Sequence, residues 1–321
     1  MRAVYIEQNG GAEALIYGER TKPMPAAGEV LVKVAISGVN FIDTYHRTGL
    51  YKLPLPAILG SEGAGTVEQL GDGVTGFKFG DRVAYAMARG SYAEYQAVPA
   101  KLLAHVPAPV DLADAAAVML QGMTAYYLTH SSFVLTPAHT ALIHAAAGGT
   151  GRLLVQMAKM QGARVIATAG TEAKAELAHE AGADEVILYD QVDWPAEVRR
   201  LTGGAGVDVI YDSVGQSTFM KGLDCLKTRG MMVSFGQASG PVAPFDVLTL
   251  SAKGSLYLTR QTLANHISPA EIAQSTGDIF EWIVEHTLKL RVEHVYKLSE
   301  AAQAHLDLEG RRTTGKLILH I

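Results

Sequence analysis

The feature that most constrains this chain is a strand, a glycine turn and a helix that follow one another without a gap over residues 140–159. Residues 140–145 form a short apolar run typical of a buried parallel strand, and Gly148, Gly149 and Gly151 then interrupt it. A glycine turn lets the backbone approach a pyrophosphate, while the first turn of the next helix offers free N–H groups and the positive end of its dipole. This stretch therefore predicts a dinucleotide site.

The glycine pattern alone is weak evidence, because Ala146 stands where the first glycine of G-x-G-x-x-G belongs. A regular alternation of strands and helices strengthens the prediction. The strands are predicted at 164–168, 185–189, 207–211, 231–235 and 255–258, and the helices at 171–181, 194–201 and 218–226. This rhythm predicts an α/β fold with a doubly wound parallel sheet. The alternative is a glycine-rich turn in another kind of α/β protein.

The end of the second predicted strand indicates which dinucleotide is bound. NAD-specific sites usually carry an acidic residue about 20 residues past the glycines. Here residues 168–171 read T-A-G-T, and Lys174 lies one helical turn further on, near a helix N-terminus that favours anions. Because no carboxylate is there to repel a 2′-phosphate, the sequence favours NADPH. The alternative for Lys174 is a solvated lysine on a helix face.

Composition excludes several other classes of protein. The single cysteine, Cys225, excludes an intrachain disulfide and a cysteine-rich zinc lobe, and none of the 11 histidines forms an H-E-x-x-H pair, so no metal site is expected. The net charge of −5 gives no general attraction to nucleic acid or anionic membranes. No apolar run reaches the roughly 18 residues of a membrane span, and the first residues read as a strand, which favours a cytoplasmic protein.

Both ends of the chain differ in character from its middle. Residues 1–120 contain short β-like runs separated by glycine and proline turns, which is typical of a small, mostly antiparallel β domain. Residues 262–321 return to this mixed character and close with a strand. The sequence therefore predicts a nucleotide-binding domain at 121–261, inserted into a discontinuous β-rich domain of residues 1–120 and 262–321.

Six motifs follow one another in order along nearly the full chain. They are N-F-I-D-T-Y-H-R-T-G-L-Y (40–51), L-Q-G-M-T-A-Y-Y-L (120–128), H-A-A-A-G-G-T-G (144–151), Y-D-S-V-G (211–215), V-S-F-G-Q-A-S-G (233–240) and G-R-R-T-T-G-K (310–316). Together they resemble the quinone oxidoreductases, the zeta-crystallin-like, zinc-free branch of the medium-chain dehydrogenase/reductase superfamily. The resemblance implies a GroES-like domain with an inserted Rossmann domain, NADPH in the cleft between them, and a homodimer formed through edge strands, with residues 255–258 as the edge.

The resemblance also implies which residues handle the substrate. Zinc-dependent relatives carry a G-H-E motif whose histidine binds the metal, but residues 60–62 here read G-S-E, and serine cannot replace that ligand. The family's catalytic cleft residues correspond to Asn40, Asp43, Tyr45 and Tyr51. Asn40 is expected to hold the nicotinamide face or a bound water, and the two tyrosines to stack on a quinone or donate to its carbonyl. The alternative for each tyrosine is an aromatic ring packed beside a loop, with its hydroxyl satisfied locally.

A larger set of positions matches the family's NADPH contacts. They are Asn40, Thr124, Tyr127, Gly148, Gly149, Thr150, Gly151, Lys174, Tyr189, Ser213, Val214, Phe235, Arg260, Arg311 and Lys316. Two departures from the family pattern matter. Thr150 replaces the usual valine of the turn, and Asp190 stands where relatives often carry arginine, so an acid close to the 2′-phosphate would weaken NADP binding. For Arg311 the alternative is a solvated or interdomain salt-bridge residue.

The function implied by this resemblance is reduction of small quinones by direct hydride transfer from NADPH, without a metal. Much of the barrier to such a transfer is removed by positioning, and a hydrogen-bond donor at the reduced oxygen adds to this. A second enzyme hypothesis is reduction of the carbon–carbon double bond of an enone or alkenal. A third is a non-catalytic NADPH-binding protein, as some relatives serve as lens crystallins or bind AU-rich RNA; the intact Asn40, Tyr45 and Tyr51 and the acidic charge argue against it.

Overall fold

The computed structural model describes the whole chain from Met1 to Ile321. Its strands, in chain order, are β1 (Arg2–Ile6), β2 (Ile16–Glu19), β3 (Glu29–Val39), β4 (Ala57–Ile58), β5 (Glu62–Leu70), β6 (Arg82–Ala86), β7 (Tyr95–Pro99), β8 (Leu103–His105), β9 (Thr140–Ile143), β10 (Arg164–Ala169), β11 (Glu185–Leu188), β12 (Val207–Asp212), β13 (Leu226–Ser234), β14 (Tyr257–Arg260), β15 (Val292–Lys297) and β16 (Lys316–His320). Its α-helices are α1 (Phe41–Thr48), α2 (Leu112–Tyr127), α3 (Gly149–Met160), α4 (Glu172–Glu180), α5 (Trp194–Leu201), α6 (Phe219–Leu223), α7 (Leu248–Ala252), α8 (Pro269–Val284) and α9 (Ala301–Glu309). A short π-helix, Leu128–Ser132, follows α2 directly.

The chain folds as two compact units. The first contains Met1–Met123 and His266–Ile321, and the second contains Thr124–Asn265. The first unit is therefore assembled from two separate stretches of sequence, whereas the second is one continuous stretch.

The first unit is built around the long strand β3. Strands β16 and β5 flank it in a sheet of order β15-β16-β3-β5-β6-β8, and β7 pairs with the first half of β3. All these pairs are antiparallel except β15 with β16, which confirms the predicted mostly antiparallel domain. Val30, Leu31 and Val32 are fully buried, so both faces of β3 are covered. Because β3 is central, Ser37 and Asn40 at its carboxyl end also lie in the interior.

The second unit contains a six-stranded parallel sheet of order β11-β10-β9-β12-β13-β14. The chain runs outward from β9 to β11 on one side, then returns to β12 and runs outward to β14 on the other. This arrangement confirms the predicted doubly wound sheet, and its switch point lies between β9 and β12. Every residue of β12 is buried, as expected for a parallel strand that helices cover on both faces.

Two elements of the second unit differ from the sequence prediction. The helix predicted at 218–226 is shorter, because the carbonyl of Cys225 already accepts a hydrogen bond from the N–H of Val207 and the chain has turned towards β13. The last strand begins at Tyr257 and not at Ser255. Ser255 has a φ of 55°, a left-handed conformation that an extended strand cannot contain.

Among the helices of this structure, none combines the length and the apolar composition that a bilayer span requires.

Candidate active site

Helix α1 carries the predicted substrate residues Asp43 and Tyr45, while Asn40 and Tyr51 lie just outside its two ends. The sequence of the helix fixes both of these ends. Asn40 and Asp43 form a capping box, in which the N–H of Asn40 donates to Asp43 Oδ2 at 2.9 Å. Gly49 ends the helix in the left-handed region, with a φ of 83°. The helix is therefore short and well bounded, which fixes the directions of its side chains.

The carboxylate of Asp43 lies entirely inside the first unit. Ser61 donates to Asp43 Oδ1 at 2.7 Å, and the hydroxyl of Tyr92 donates to Oδ2 at 3.3 Å. Burial raises the pKa of Asp43 to about 6, while the hydrogen bonds from Ser61 and Asn40 and the charge of Lys316 oppose this rise. Asp43 thus anchors α1 from inside the first unit, and its expected catalytic role stays a prediction.

A line of buried hydrogen bonds continues from Asp43 towards α9. Arg47 donates to His305 Nδ1 at 3.0 Å, and the other ring nitrogen of His305 lies 3.0 Å from the hydroxyl of Tyr92. Because a guanidinium only donates, Nδ1 of His305 accepts, and the proton of the neutral ring is on Nε2. Burial and the charge of Arg47 lower the pKa of His305 to about 3, so the ring stays neutral. Arg47 also binds Glu309 through two contacts of 2.8 and 2.9 Å, which ties α1 to α9.

Tyr45 and Tyr51, the two predicted substrate tyrosines, lie next to each other. Their ring centroids are 5.3 Å apart in an edge-to-face arrangement, and the N–H of Tyr51 donates to the carbonyl of Tyr45 at 3.0 Å. Both side chains are only partly buried. His46 packs against Tyr51 at 6.0 Å, and burial together with the charge of Arg89 lowers its pKa. The segment thus presents two phenol rings that a flat aromatic molecule can stack against.

A buried polar cluster surrounds the side chain of Asn40. Lys316 Nζ donates to Asn40 Oδ1 at 2.8 Å and contacts Glu62 Oε1, while Asn40 Nδ2 donates to the same carboxylate oxygen at 2.7 Å. Gln121 donates to Asn40 Oδ1 at 3.3 Å, and the N–H of Leu120 donates to Glu62 Oε2 at 2.6 Å. Lys316 and Glu62 are 3% and 0% exposed, so neither charge is in contact with bulk water.

This cluster shows the partners of Lys316 and adds a residue that the sequence interpretation missed. Lys316 was expected among the cofactor contacts, and that role stays a prediction; its ammonium has an acidic and an amide partner inside the first unit. Glu62 was noted only as the last residue of the G-S-E motif. The signal that could have found the pair is a lysine leading directly into the apolar strand residues 317–319, where a buried charge requires a buried partner.

The glycine turn of the second unit lies between β9 and α3. Its backbone passes through a left-handed residue, Ala145, with a φ of 53°, and the N–H of Gly148 donates to the carbonyl of Ala145 at 3.0 Å. A Cβ added to Gly151 would overlap that same carbonyl oxygen and lie 2.9 Å from the Cα of Ala146. No side chain caps the first turn of α3. The turn therefore needs glycine at 151 and leaves the N-terminal N–H groups of the helix for an anion.

The carboxyl end of β10 and the residues after β11 form the part of the sheet edge predicted to bind the 2′-phosphate. Lys174 lies in the first turn of α4, where its N–H donates to Thr171 Oγ1 at 3.3 Å. A Cβ on Gly170 would lie 2.6 Å from the hydroxyl oxygen of Tyr189 and 3.7 Å from a carboxylate oxygen of Asp190. The structure thus brings Tyr189 and Asp190 over Gly170, one helical turn from Lys174.

The other predicted cofactor residues of the second unit fall into two groups. Those at the carboxyl ends of β12, β13 and β14 are Ser213, Val214, Phe235 and Arg260. Thr124 and Tyr127 lie on the last turns of α2 and are buried. Burial raises the pKa of Tyr127 and the charge of Arg260 opposes this, which places these two side chains near each other. Arg311 belongs to the first unit, in an exposed turn after α9, and its role stays a prediction.

The structure contains no group of three or more histidine, cysteine, aspartate or glutamate side chains arranged to hold a metal ion. In the G-S-E motif, Ser61 uses its hydroxyl to bind Asp43, and Glu62 pairs with Lys316. The side chains that could act as metal ligands at this position, Ser61 and Glu62, are therefore engaged in hydrogen bonds within the protein.

Two family models match consecutive parts of the chain. The alcohol dehydrogenase GroES-like domain matches residues 26–108, and the zinc-binding dehydrogenase model matches residues 149–295. A GroES-like domain combined with a doubly wound nucleotide-binding sheet defines a medium-chain dehydrogenase/reductase.

Individual relatives narrow this class. A quinone oxidoreductase of Pseudomonas aeruginosa is 45% identical over 97% of this chain and 96% of its own, and a 2-haloacrylate reductase of a Burkholderia species is 41% identical over 99% and 98%. The crystal structure of Escherichia coli quinone oxidoreductase complexed with NADPH matches with a TM-score of 0.98, 41% identity and full coverage of both chains. The chain belongs to the quinone oxidoreductase family, which confirms the resemblance drawn from its motifs.

Proposed function

We propose that this protein is an NADPH-dependent quinone reductase that passes a hydride from the nicotinamide to a small quinone. The observation that carries the proposal is the full-length match to a quinone oxidoreductase solved with NADPH, combined with the uncapped glycine turn of the second unit.

The second unit has the features that NADPH binding requires. The first turn of α3 offers N–H groups that no side chain caps, and glycine at 151 keeps the backbone close, so this turn fits a pyrophosphate. Lys174 and Tyr189 fit the 2′-phosphate end, with Asp190 weakening that preference by its charge. NADPH, when bound, supplies the hydride.

The first unit has the features that a quinone requires. Tyr45 and Tyr51 present partly exposed rings against which a flat acceptor stacks. Asn40 contributes a carboxamide with one hydrogen of Nδ2 outside the bond to Glu62, and this hydrogen donates to the acceptor's carbonyl oxygen, where negative charge develops.

A second candidate reaction, reduction of a conjugated carbon–carbon double bond, is favoured by one specific observation. The 2-haloacrylate reductase is 41% identical to this chain over nearly its whole length, and a haloacrylate carries such a double bond. The hydride geometry that serves a quinone also serves this acceptor. An assay that compares the two classes of substrate is therefore needed to separate the two reactions.

The assay follows NADPH oxidation with 1,4-benzoquinone, 9,10-phenanthrenequinone and an alkenal in parallel. We expect the quinones to give the higher kcat/KM, and NADPH to exceed NADH by at least about tenfold, equivalent to ~1.4 kcal/mol. Activity should survive dialysis against a chelator. Saturation by NADH but not by NADPH, stoichiometric zinc in the purified protein, or a preference for the alkenal would each contradict the proposal.

We also propose a homodimer formed through β14, in a protein that works in the cytoplasm. This strand is one of the two edges of the parallel sheet; its Tyr257 is 57% exposed, and Val247 and Leu248, which precede the strand in the chain, are 69% and 68% exposed. Light scattering should give a mass about twice the 34.1 kDa of one chain. Tyr257→Glu should shift it towards the single chain, whereas Phe79→Glu, at a residue of the first unit that is 76% exposed, should leave the dimer intact. A wild-type protein with the mass of one chain would contradict this proposal.

A further inference from the structure

The pair formed by Lys316 and Glu62 spans three neighbouring strands. Lys316 begins β16 and Glu62 begins β5, and β3 lies between these strands. A Cβ on Gly38 of β3 would overlap the Glu62 carboxylate and lie 2.8 Å from its Cγ. Glycine at this position therefore provides the space in which the carboxylate crosses the central strand to reach the lysine.

The two charges fix the orientation of the Asn40 side chain. An amide can in principle be turned end for end, since its oxygen and nitrogen have similar size. Here the oxygen faces an ammonium and the nitrogen faces a carboxylate. The reverse orientation would place the amide oxygen against the Glu62 carboxylate and the NH₂ group against the Lys316 ammonium. Both hydrogen bonds would be lost, and groups with charges or partial charges of the same sign would face each other. The orientation is thus set by charges on both sides.

Stability alone gives no reason for such a pair. Removing two charges from water offsets most of their attraction, so apolar residues of similar volume usually serve a core equally well. Burial lowers the pKa of the Lys316 ammonium to about 7, and the charge of Asp43 opposes this. What the charges do, and apolar side chains cannot do, is orient a neighbouring dipole.

We propose that Lys316 and Glu62 are positioning residues that hold the Asn40 carboxamide in one orientation, so that its remaining N–H is always presented to the carbonyl oxygen of the acceptor. Neither residue touches the acceptor. The inference rests on the quinone reductase activity proposed above and names two residues that act through a third.

A double-mutant cycle tests whether Lys316 acts through Asn40. Lys316→Met and Asn40→Ala should each lower kcat with a quinone by up to about 10²- to 10³-fold, the range for loss of one donor at a developing oxyanion. The double variant should be no slower than Asn40→Ala, because Lys316 has nothing left to orient. The NADPH dissociation constant, from fluorescence titration, should stay within about twofold of wild type in Lys316→Met. Losses that multiply, or a matching loss of NADPH affinity, would show that Lys316 acts directly and would overturn the proposal.

A charge-free pair separates positioning from folding. Lys316→Met/Glu62→Gln removes both charges of the pair, and the nearby buried Asp43 keeps its hydrogen bonds from Ser61, Tyr92 and the N–H of Asn40. We therefore expect its Tm to recover towards the wild-type value while kcat stays low, because a neutral glutamine accepts either orientation of Asn40. The matched control is Lys227→Met/Asp208→Asn, a lysine paired with a buried carboxylate in the second unit, which should keep wild-type kcat. If the wild type reduces quinones and Lys316→Met/Glu62→Gln has wild-type kcat, this inference alone is overturned. A wild type that reduces no quinone overturns the proposed function and this inference together.

Discussion

Gly151→Ala is expected to lower the affinity for NADPH by at least about 100-fold, or ~2.7 kcal/mol. The added Cβ would overlap the carbonyl oxygen of Ala145 and lie 2.9 Å from the Cα of Ala146, and both are backbone atoms that no rotamer change can move aside. The turn must therefore shift, and the N–H groups at the start of α3 shift with it, away from the pyrophosphate. Quenching of protein fluorescence by NADPH measures the change.

The control for this variant is the same substitution where space is open. A Cβ on Gly277, in the interior of α8, meets no atom within 4 Å. Gly277→Ala should keep the wild-type affinity for NADPH and raise the free energy of unfolding by about 0.5–1 kcal/mol, because alanine is the better helix former. If folded Gly151→Ala protein binds NADPH as tightly as Gly277→Ala, the glycine turn is not the pyrophosphate site.

Arg47→Met is expected to lower the free energy of unfolding by about 2–4 kcal/mol, because it leaves the buried ring nitrogen of His305 and the carbonyl of Gly10 without their donor. Arg47 is 2% exposed and donates to Glu309, to His305 and to the carbonyl of Gly10. Methionine fills much of the volume but supplies none of these donors, so three acceptors lose their partner. Urea unfolding gives the change directly.

An exposed arginine provides the comparison for this second variant. Arg200 is paired with Glu197 on the surface of α5, and its side chain is 67% exposed. Because exposed pairs contribute little, Arg200→Met should leave the urea unfolding midpoint close to the wild-type value. Equal losses in the two variants would mean that the hydrogen bonds between α1 and α9 do not stabilise the first unit.

The pH dependence of Arg47→Met gives an independent check. His305 is held neutral in the folded protein, with a pKa lowered to about 3, whereas the unfolded chain takes up the proton below about pH 6.5. The titration of His305 therefore leaves the free energy of unfolding unchanged above pH 6.5. It lowers this free energy by up to ~1.4 kcal/mol per pH unit as the pH drops towards 3. Removing the charge of Arg47 should raise the pKa of His305, so the difference in stability between wild type and variant should shrink as the pH falls from that raised pKa towards 3. The contribution of Asp43, whose raised pKa gives the opposite sign, is common to both proteins.

Local patterns in the sequence were sufficient for the nucleotide-binding sheet. Its parallel strands read as uninterrupted apolar runs, and the glycines mark the start of α3. Helix α1 was not predicted, although Asn40 and Asp43 have the spacing of a capping box. The start of β14 was misplaced by two residues because serine gives no sign of a left-handed backbone, which glycine would have signalled.

The buried cluster could not be predicted in the same way. Glu62 and Lys316 are 254 residues apart in sequence, and they meet only because β5, β3 and β16 are neighbours in one sheet. Strand order of this kind depends on the whole domain, and one sequence contains no local signal for it. The same holds for Asp43, which has the residue type of a catalytic acid, but whose burial depends on Ser61 and Tyr92 from distant parts of the chain.

The separation of Glu62 from Lys316 also has a consequence for biosynthesis. A ribosome makes Glu62 254 residues before the lysine that neutralises it, and the continuous second unit, Thr124–Asn265, is translated in between. The nucleotide-binding sheet can therefore fold while its host domain still lacks β16, and the carboxylate must remain hydrated or protonated during that interval. The first unit, whose translation begins first, is therefore the last to complete its fold.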